Sequence, residues 1–148
     1  MFKHTGIIAL ITLALILSGC GTTSNPGSGN INGNWIANLA NSNSSGPTFQ
    51  FNTSLTVSGS NSLVVTNLTF VSPSPCFPGP TSETGSFGLT GNFNGSVEGT
   101  FAMNVTGNGS TLALSGTVQG GNINGTWTLQ GGTGCSGNGT FSMTHPLP

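Results

Sequence analysis

The chain has 148 residues, 25 of them glycine, and it carries almost no charge. Its charged side chains are one base, Lys3, and two acids, Glu83 and Glu98; it also has two histidines and no tyrosine. Nucleic-acid recognition depends on Lys and Arg. Acid–base catalysis and metal binding need clusters of titratable side chains. We therefore expect a protein that is not an enzyme and has no metal, cofactor or nucleic-acid partner.

The N-terminal segment places Lys3 ahead of an apolar run from Ile7 to Leu17. This run is shorter than the roughly 20 residues that a membrane-spanning helix needs. A basic start, a short apolar run and small residues are typical of a secretory signal peptide, and a retained N-terminal anchor is the alternative. Residues 1–19 are therefore not expected to be part of the folded domain.

The apolar run ends in Leu17-Ser18-Gly19-Cys20, which resembles the lipobox of bacterial lipoproteins. The resemblance implies that residues 1–19 are removed and that Cys20 is acylated, with palmitate among the chains. More than one acyl chain would anchor the protein stably in a membrane. Gly21, in the place where Asp directs lipoproteins to the inner membrane, implies the outer membrane. The expected location is the bacterial cell envelope, with the membrane as partner through the lipid.

Residues 20–30 are rich in Gly, Ser, Thr and Asn and predict a flexible tether. Residues 31–144 are one domain by length, and 145–148 are a tail in which we expect His145 to be solvated. Within the domain, apolar residues alternate with polar ones, as in strands with one buried face. The inward-facing sets predicted for eight strands are Trp35, Ala37, Leu39; Phe49, Phe51, Leu55, Val57; Val64, Leu68, Phe70; Phe87, Leu89, Phe93; Val97, Phe101, Met103, Val105; Leu112, Leu114, Val118; Ile123, Trp127, Leu129; and Phe141, Met143.

Turn sequences separate these strands. Asn94-Gly95 and Asn108-Gly109 favour two-residue hairpins, and similar segments surround Gly59 and Gly120. Short hairpins join antiparallel neighbours, so we predict an all-β, eight-stranded antiparallel up-and-down meander. We expect it to close as a barrel, because closure removes edges that a nearly uncharged chain cannot protect; a β-sandwich is the alternative. The polar outer face disfavours a transmembrane barrel.

Gly33-Asn34-Trp35 at the start of the first strand resembles the Gly-x-Trp signature of lipocalin-like and avidin-like (calycin) small barrels. The resemblance implies that Trp35 plugs one end of the barrel, where those families pack an Arg against it; this chain has no Arg. The alternative is an ordinary core tryptophan after a glycine turn. Ile123 to Trp127 repeats the pattern of Ile31 to Trp35, either as a duplication or as a second solution to the same packing problem.

With Cys20 assigned to lipid, Cys76 and Cys135 are left, and a secreted compartment favours a disulfide between them over two free thiols. The first, third and seventh connections (residues 40–47, 72–85 and 130–134) are expected to be long or intermediate and to lie at the end away from the tether. The second, fourth and sixth are expected to be short. Four prolines in residues 72–85, pinned by the disulfide, predict a stiff flap over the barrel mouth.

Two functions fit these expectations. The first is binding of a small apolar or sugar-like ligand at the long-loop end, with Phe49, Phe51, Phe101 and Trp127 as the candidate ligand-binding residues. The second is a structural or adhesive surface lipoprotein whose partner is a matrix or another copy of itself. A ligand cavity lined by those aromatic residues favours the first, and a solid core favours the second. The sequence leaves the oligomeric state open.

Overall fold

The computed structural model describes residues 31–43, 49–59, 61–71, 74–89 and 98–147. Their eight strands are β1 (Gly33–Asn41), β2 (Phe49–Val57), β3 (Leu63–Phe70), β4 (Ser82–Leu89), β5 (Gly99–Gly107), β6 (Ser110–Gln119), β7 (Asn122–Gln130) and β8 (Gly137–Thr144). The predicted strand number is confirmed. Cys20, the predicted signal peptide and the predicted tether lie outside the described residues.

The strands form one antiparallel sheet in the order β3-β2-β1-β8-β7-β6-β5-β4. β1 pairs with β8, so the first and last strands of the chain are neighbours. In the described ranges the ring of paired strands is open between β3 and β4, a gap that we call the seam. Leu63 and Val65 of β3 pack over Gly85 of β4, where a Cβ atom would lie 3.0 Å from the Leu63 Cβ. The fold is an up-and-down meander that makes a nearly closed barrel, as predicted, and not a sandwich.

Two neighbouring glycines lie between two phenylalanines at one level of the barrel interior. Phe101 pairs with Gly116, Gly116 with Gly125, and Gly125 with Phe141. The two phenylalanine rings meet with centroids 6.0 Å apart. A Cβ on Gly125 would lie 2.8 Å from Cε1 of Phe141, and one on Gly116 would collide with the Asn124 carbonyl. The two glycines therefore make the room in which the rings pack.

The alternation predicted for the third strand is only half right. Leu68 and Phe70 pack against the core as expected, but Val64 is 48% exposed and Leu63 is buried in its place. The inward side of β3 therefore changes from odd-numbered to even-numbered residues part-way along the strand.

A β-bulge at Asn67 causes this change. Thr66 pairs with Ser54, whereas Thr69 pairs with Asn52, so β3 has one more residue than β2 over this stretch. Asn67 takes the left-handed conformation, with φ of 54°, which Asn tolerates better than most residues. Opposite the bulge, the hydroxyl of buried Thr53 donates to the Thr66 carbonyl at 3.3 Å. The extra residue reverses which side chains face inward.

One connection differs from the prediction. β4 begins at Ser82, so the connection before it covers residues 71–81 rather than 72–85. In the described ranges β4 ends at Leu89 and β5 begins at Gly99, and residues 90–97 between them are outside those ranges. The predicted turn Asn94-Gly95, and the inward positions predicted for Phe93 and Val97, lie outside the described residues.

Two tight hairpins are confirmed. Asn108 and Gly109 join β5 to β6 with φ of 48° and 72°. Gly120 and Gly121 join β6 to β7 with φ of 57° and 82°. Positive φ at both central residues is the requirement of a type I′ turn, which matches the twist of the flanking strands.

Candidate binding surface

The predicted disulfide between Cys76 and Cys135 is present, with Cα atoms 5.5 Å apart. It joins residues 71–81 to the connection between β7 and β8. Asn108, in the hairpin between β5 and β6, donates from Nδ2 to the Pro75 carbonyl at 3.4 Å. Three connections at this end of the barrel are thus tied together, and we call it the clasped end.

Phe77 fills the mouth of the barrel at the clasped end. Its side chain is only 7% exposed, and its ring stacks on Phe70 with centroids 4.8 Å apart and planes inclined by 6°. Phe70 in turn makes edge contacts with Phe49 and Phe51, at 6.5 and 5.8 Å. The predicted flap, in residues 71–81, therefore inserts a side chain into the core instead of covering an open mouth.

His145 packs on Trp35 at the opposite end, which corrects the expectation of a solvated tail residue. The two ring centroids are 4.0 Å apart, and His145 Nδ1 lies 2.9 Å from the Asn34 carbonyl oxygen. Trp35 is 1% exposed and donates from Nε1 to the Ile31 carbonyl at 2.8 Å. The imidazole stands where the barrel resemblance implies an arginine. This end of the barrel is filled as well.

The four aromatic residues expected to bind a ligand belong to the packed core. Phe49, Phe51, Phe101 and Trp127 are 6%, 0%, 2% and 1% exposed. Side chains around a cavity large enough for a ligand would keep surface accessible to a solvent-sized molecule. Phe49 instead packs edge-on against Trp127 at 5.8 Å, and Trp127 donates from Nε1 to the Ala40 carbonyl at 3.0 Å. These four side chains are therefore part of the packed core.

The outer wall of β7, β8, β1 and β2 carries a row of uncharged polar side chains at one level of the barrel. Asn124 pairs with Ser142, Ser142 with Asn38, and Asn38 with Gln50. Gln50 donates from Nε2 to Asn38 Oδ1 at 3.0 Å. The row lies in a surface groove of about 690 Å³, which we call the amide groove. Its outward-facing side chains are Asn38, Ala40, Gln50, Asn124, Thr140 and Ser142.

A smaller depression of about 360 Å³ continues this polar wall toward the Trp35 end. It lies over β1, β2 and β3, and Asn34, Asn52, Ser54 and Asn67 line it. Ser54 donates from its hydroxyl to Asn34 Oδ1 at 2.6 Å. The outer face of β1 and β2 is therefore polar, uncharged and concave in two places.

A more apolar cleft of about 720 Å³ lies beside the seam at the clasped end. It runs between the end of β3 and the 71–81 connection, and Leu68, Phe70, Val71, Pro75 and Pro78 contribute to its walls. Val71 is 50% exposed there. This cleft is an apolar surface near the predicted long-loop end.

Charge is scarce on all of these surfaces. Glu83 accepts a hydrogen bond from the Thr81 hydroxyl at 3.2 Å, and Glu98 is exposed just before β5. In the part of the chain that the structure describes, no group of three or more His, Cys, Asp or Glu is placed to hold a metal ion. Nor do the described ranges contain a helix that is long and apolar enough to span a membrane.

Comparison of the chain with protein-family models, with curated proteins and with solved structures finds no match.

Proposed function

We propose that this chain is a non-enzymatic lipoprotein of the bacterial cell envelope, anchored in the outer membrane through acylated Cys20, whose barrel acts as an adhesive or structural surface. The lipobox-like Leu17-Ser18-Gly19-Cys20 supports the anchor. The observation that carries the surface role is the filled interior. Phe77 closes one end, Trp35 with His145 closes the other, and the aromatic core between them is packed. Binding is then left to the outer wall, which is polar and uncharged.

A second candidate function is binding of a small apolar ligand at the clasped end. The seam-side cleft of about 720 Å³ favours it, because Leu68, Phe70 and Val71 offer apolar contact area there. In this second candidate function the ligand lies outside the barrel, against the 71–81 connection, and not among Phe49, Phe51, Phe101 and Trp127.

The anchor is tested by labelling a bacterium that expresses the full chain with radioactive palmitate. We expect the wild type to carry the label and to be found in outer-membrane fractions. The Cys20→Ala variant should carry no label and should be absent from those fractions. An unlabelled wild-type chain would contradict the lipoprotein proposal.

The surface role is tested by native mass spectrometry of the full chain, extracted from its own envelope in detergent. We expect the mass of the acylated polypeptide alone. A small molecule retained at one copy per chain would contradict the surface role. Loss of that molecule in Val71→Asp but not in Val64→Asp, an exposed β3 position outside the cleft, would place it in the seam-side cleft.

A further inference from the structure

We propose that the amide groove is a binding site for a neutral glycan chain laid across β7, β8, β1 and β2. The proposal rests on the surface role proposed above and gives it a site and a ligand class. It starts from an arrangement that the sequence pattern alone does not reveal: Asn38 and Gln50 are far from Asn124 and Ser142 in the sequence, and the β1–β8 pairing brings all four into one row.

The chemistry of the row matches that of a polyhydroxylated ligand. A carboxamide offers both hydrogen-bond donors and acceptors, as a hydroxyl group does, so amides can serve a sugar hydroxyl in either role. The bond from Gln50 to Asn38 uses one N–H of the first amide and one acceptor position of the second. Both amides have further donor and acceptor positions by chemistry, and Asn124, Thr140 and Ser142 add more along the groove.

The lack of charge selects a neutral ligand. No Lys or Arg follows Lys3 in the chain, and Glu83 and Glu98 are on or beside β4 and β5, away from the groove strands. An ionic ligand would lose hydration without gaining a counter-charge, which costs free energy. An added peptide strand is also disfavoured, because β7, β8, β1 and β2 are each paired on both sides and offer no free edge.

The dimensions suit an extended chain. The row crosses three interstrand spacings of roughly 4.8 Å, so it is about 14 Å long. Its side chains stand on paired strands, so little backbone freedom is lost when they bind. Each hydrogen bond to an exposed amide is weak. A polymer that meets several lipid-anchored copies on one membrane would nevertheless be held firmly by multivalency.

The test uses the full chain in detergent, applied to beads of four neutral polysaccharides (cellulose, chitin, dextran and β-1,3-glucan) and to alginate as an anionic comparison. The variants are Asn38→Ala with Asn124→Ala, which removes two groove amides, and Ala40→Trp, which blocks the groove and leaves every amide in place. The matched control is Asn104→Ala, an exposed asparagine on the outer face of β5 between Thr84 and Ala113. Thermal unfolding verifies that all variants are folded.

We expect the wild type to bind at least one neutral polysaccharide, with little effect of added salt, and not to bind alginate. The double variant should bind about 30-fold more weakly, which corresponds to ~2 kcal/mol for two hydrogen bonds. Ala40→Trp should bind weakly as well, and Asn104→Ala should bind like the wild type.

Absence of binding to all four neutral polysaccharides would overturn the proposal, as would equal losses in Asn104→Ala and the double variant, or salt-sensitive binding to alginate. Palmitate labelling separates this failure from that of the proposed function. A labelled chain that binds no neutral polysaccharide refutes the glycan site alone, whereas an unlabelled chain refutes the anchor.

Discussion

Replacing Cys76 and Cys135 together by alanine is expected to remove about 4 kcal/mol from the free energy of unfolding. The disulfide joins residues 59 positions apart, and closing a loop of that size lowers the entropy of the unfolded chain by this amount at room temperature. Domains of this kind are stable by only about 5–15 kcal/mol, so the loss is a large share. Alanine is preferable to serine because both sites are buried, at 2% and 6% exposure, where an unpaired hydroxyl adds its own cost.

The assay is urea unfolding of the full chain, followed by tryptophan fluorescence. We expect a lower midpoint for the double alanine variant and a steeper dependence on urea, since the uncrosslinked chain exposes more surface when it unfolds. Wild-type protein in reductant should unfold at the midpoint of the variant. If the variant and the oxidised wild type unfold at the same urea concentration, loop closure does not stabilise the barrel and the reasoning is wrong.

Urea unfolding also measures how the Cys76–Cys135 disulfide affects the contribution of Phe77 to stability. Phe77→Ala should cost about 3–5 kcal/mol with the disulfide intact, because it empties the mouth of the barrel. When Cys76 and Cys135 are both alanine, Phe77→Ala should lower the free energy of unfolding by less, because residues 71–81 are then free to leave the mouth. The difference between the two losses measures the coupling between Phe77 and the disulfide. Equal costs in both backgrounds would mean that Phe77 holds the segment in place without the disulfide.

Three further changes test other parts of the barrel. Asn67→Ala should lower the free energy of unfolding by about 1 kcal/mol, because alanine tolerates the φ of 54° at this position less well than asparagine does. Glycine adopts this φ without strain, so Asn67→Gly should melt close to the wild type. Gly116→Ala should cost about 1–3 kcal/mol or more through its clash with the Asn124 carbonyl, and Gly132→Ala, where nothing lies within 4 Å, is the near-neutral control in the same melting experiment. His145→Ala should make one tryptophan newly accessible to acrylamide quenching, and an unchanged quenching curve would contradict the stacking on Trp35.

Period-two alternation made most of the strands predictable, because one face of each strand must be buried whatever its neighbours are. β2 illustrates this: Phe49, Phe51, Leu55 and Val57 were expected inside and are inside. The disulfide was predictable by elimination, since removing Cys20 from the count leaves one pair. These inferences need only local sequence or a count of residues.

The rest depends on contacts between distant parts of the chain. The bulge at Asn67 was not predicted, because a single asparagine inside an apolar stretch is a weak signal, and missing it placed Val64 inside. The contact of His145 with Trp35 follows from the register of β1 on β8, in which Ile36 faces Thr144, and no local pattern specifies that register. The amide groove depends on the same pairing. Phe77 lies in a proline-rich connection, and no local sequence pattern indicates that its side chain packs into the mouth of the barrel.

The position of the seam bears on how the barrel folds. Among the described residues, seven of the eight strand pairings that a closed ring needs are present, and the pairing not found there would join β3 and β4, which are consecutive in sequence. The chain instead makes its most distant pairing, β1 with β8, which requires the two ends of the domain to meet and slows folding. A circular permutant that joins the ends and opens between β3 and β4 would have every ladder between sequence neighbours, and it should fold faster into the same barrel. The seam thus marks a position at which new chain ends can be introduced without interrupting any of the strand pairings.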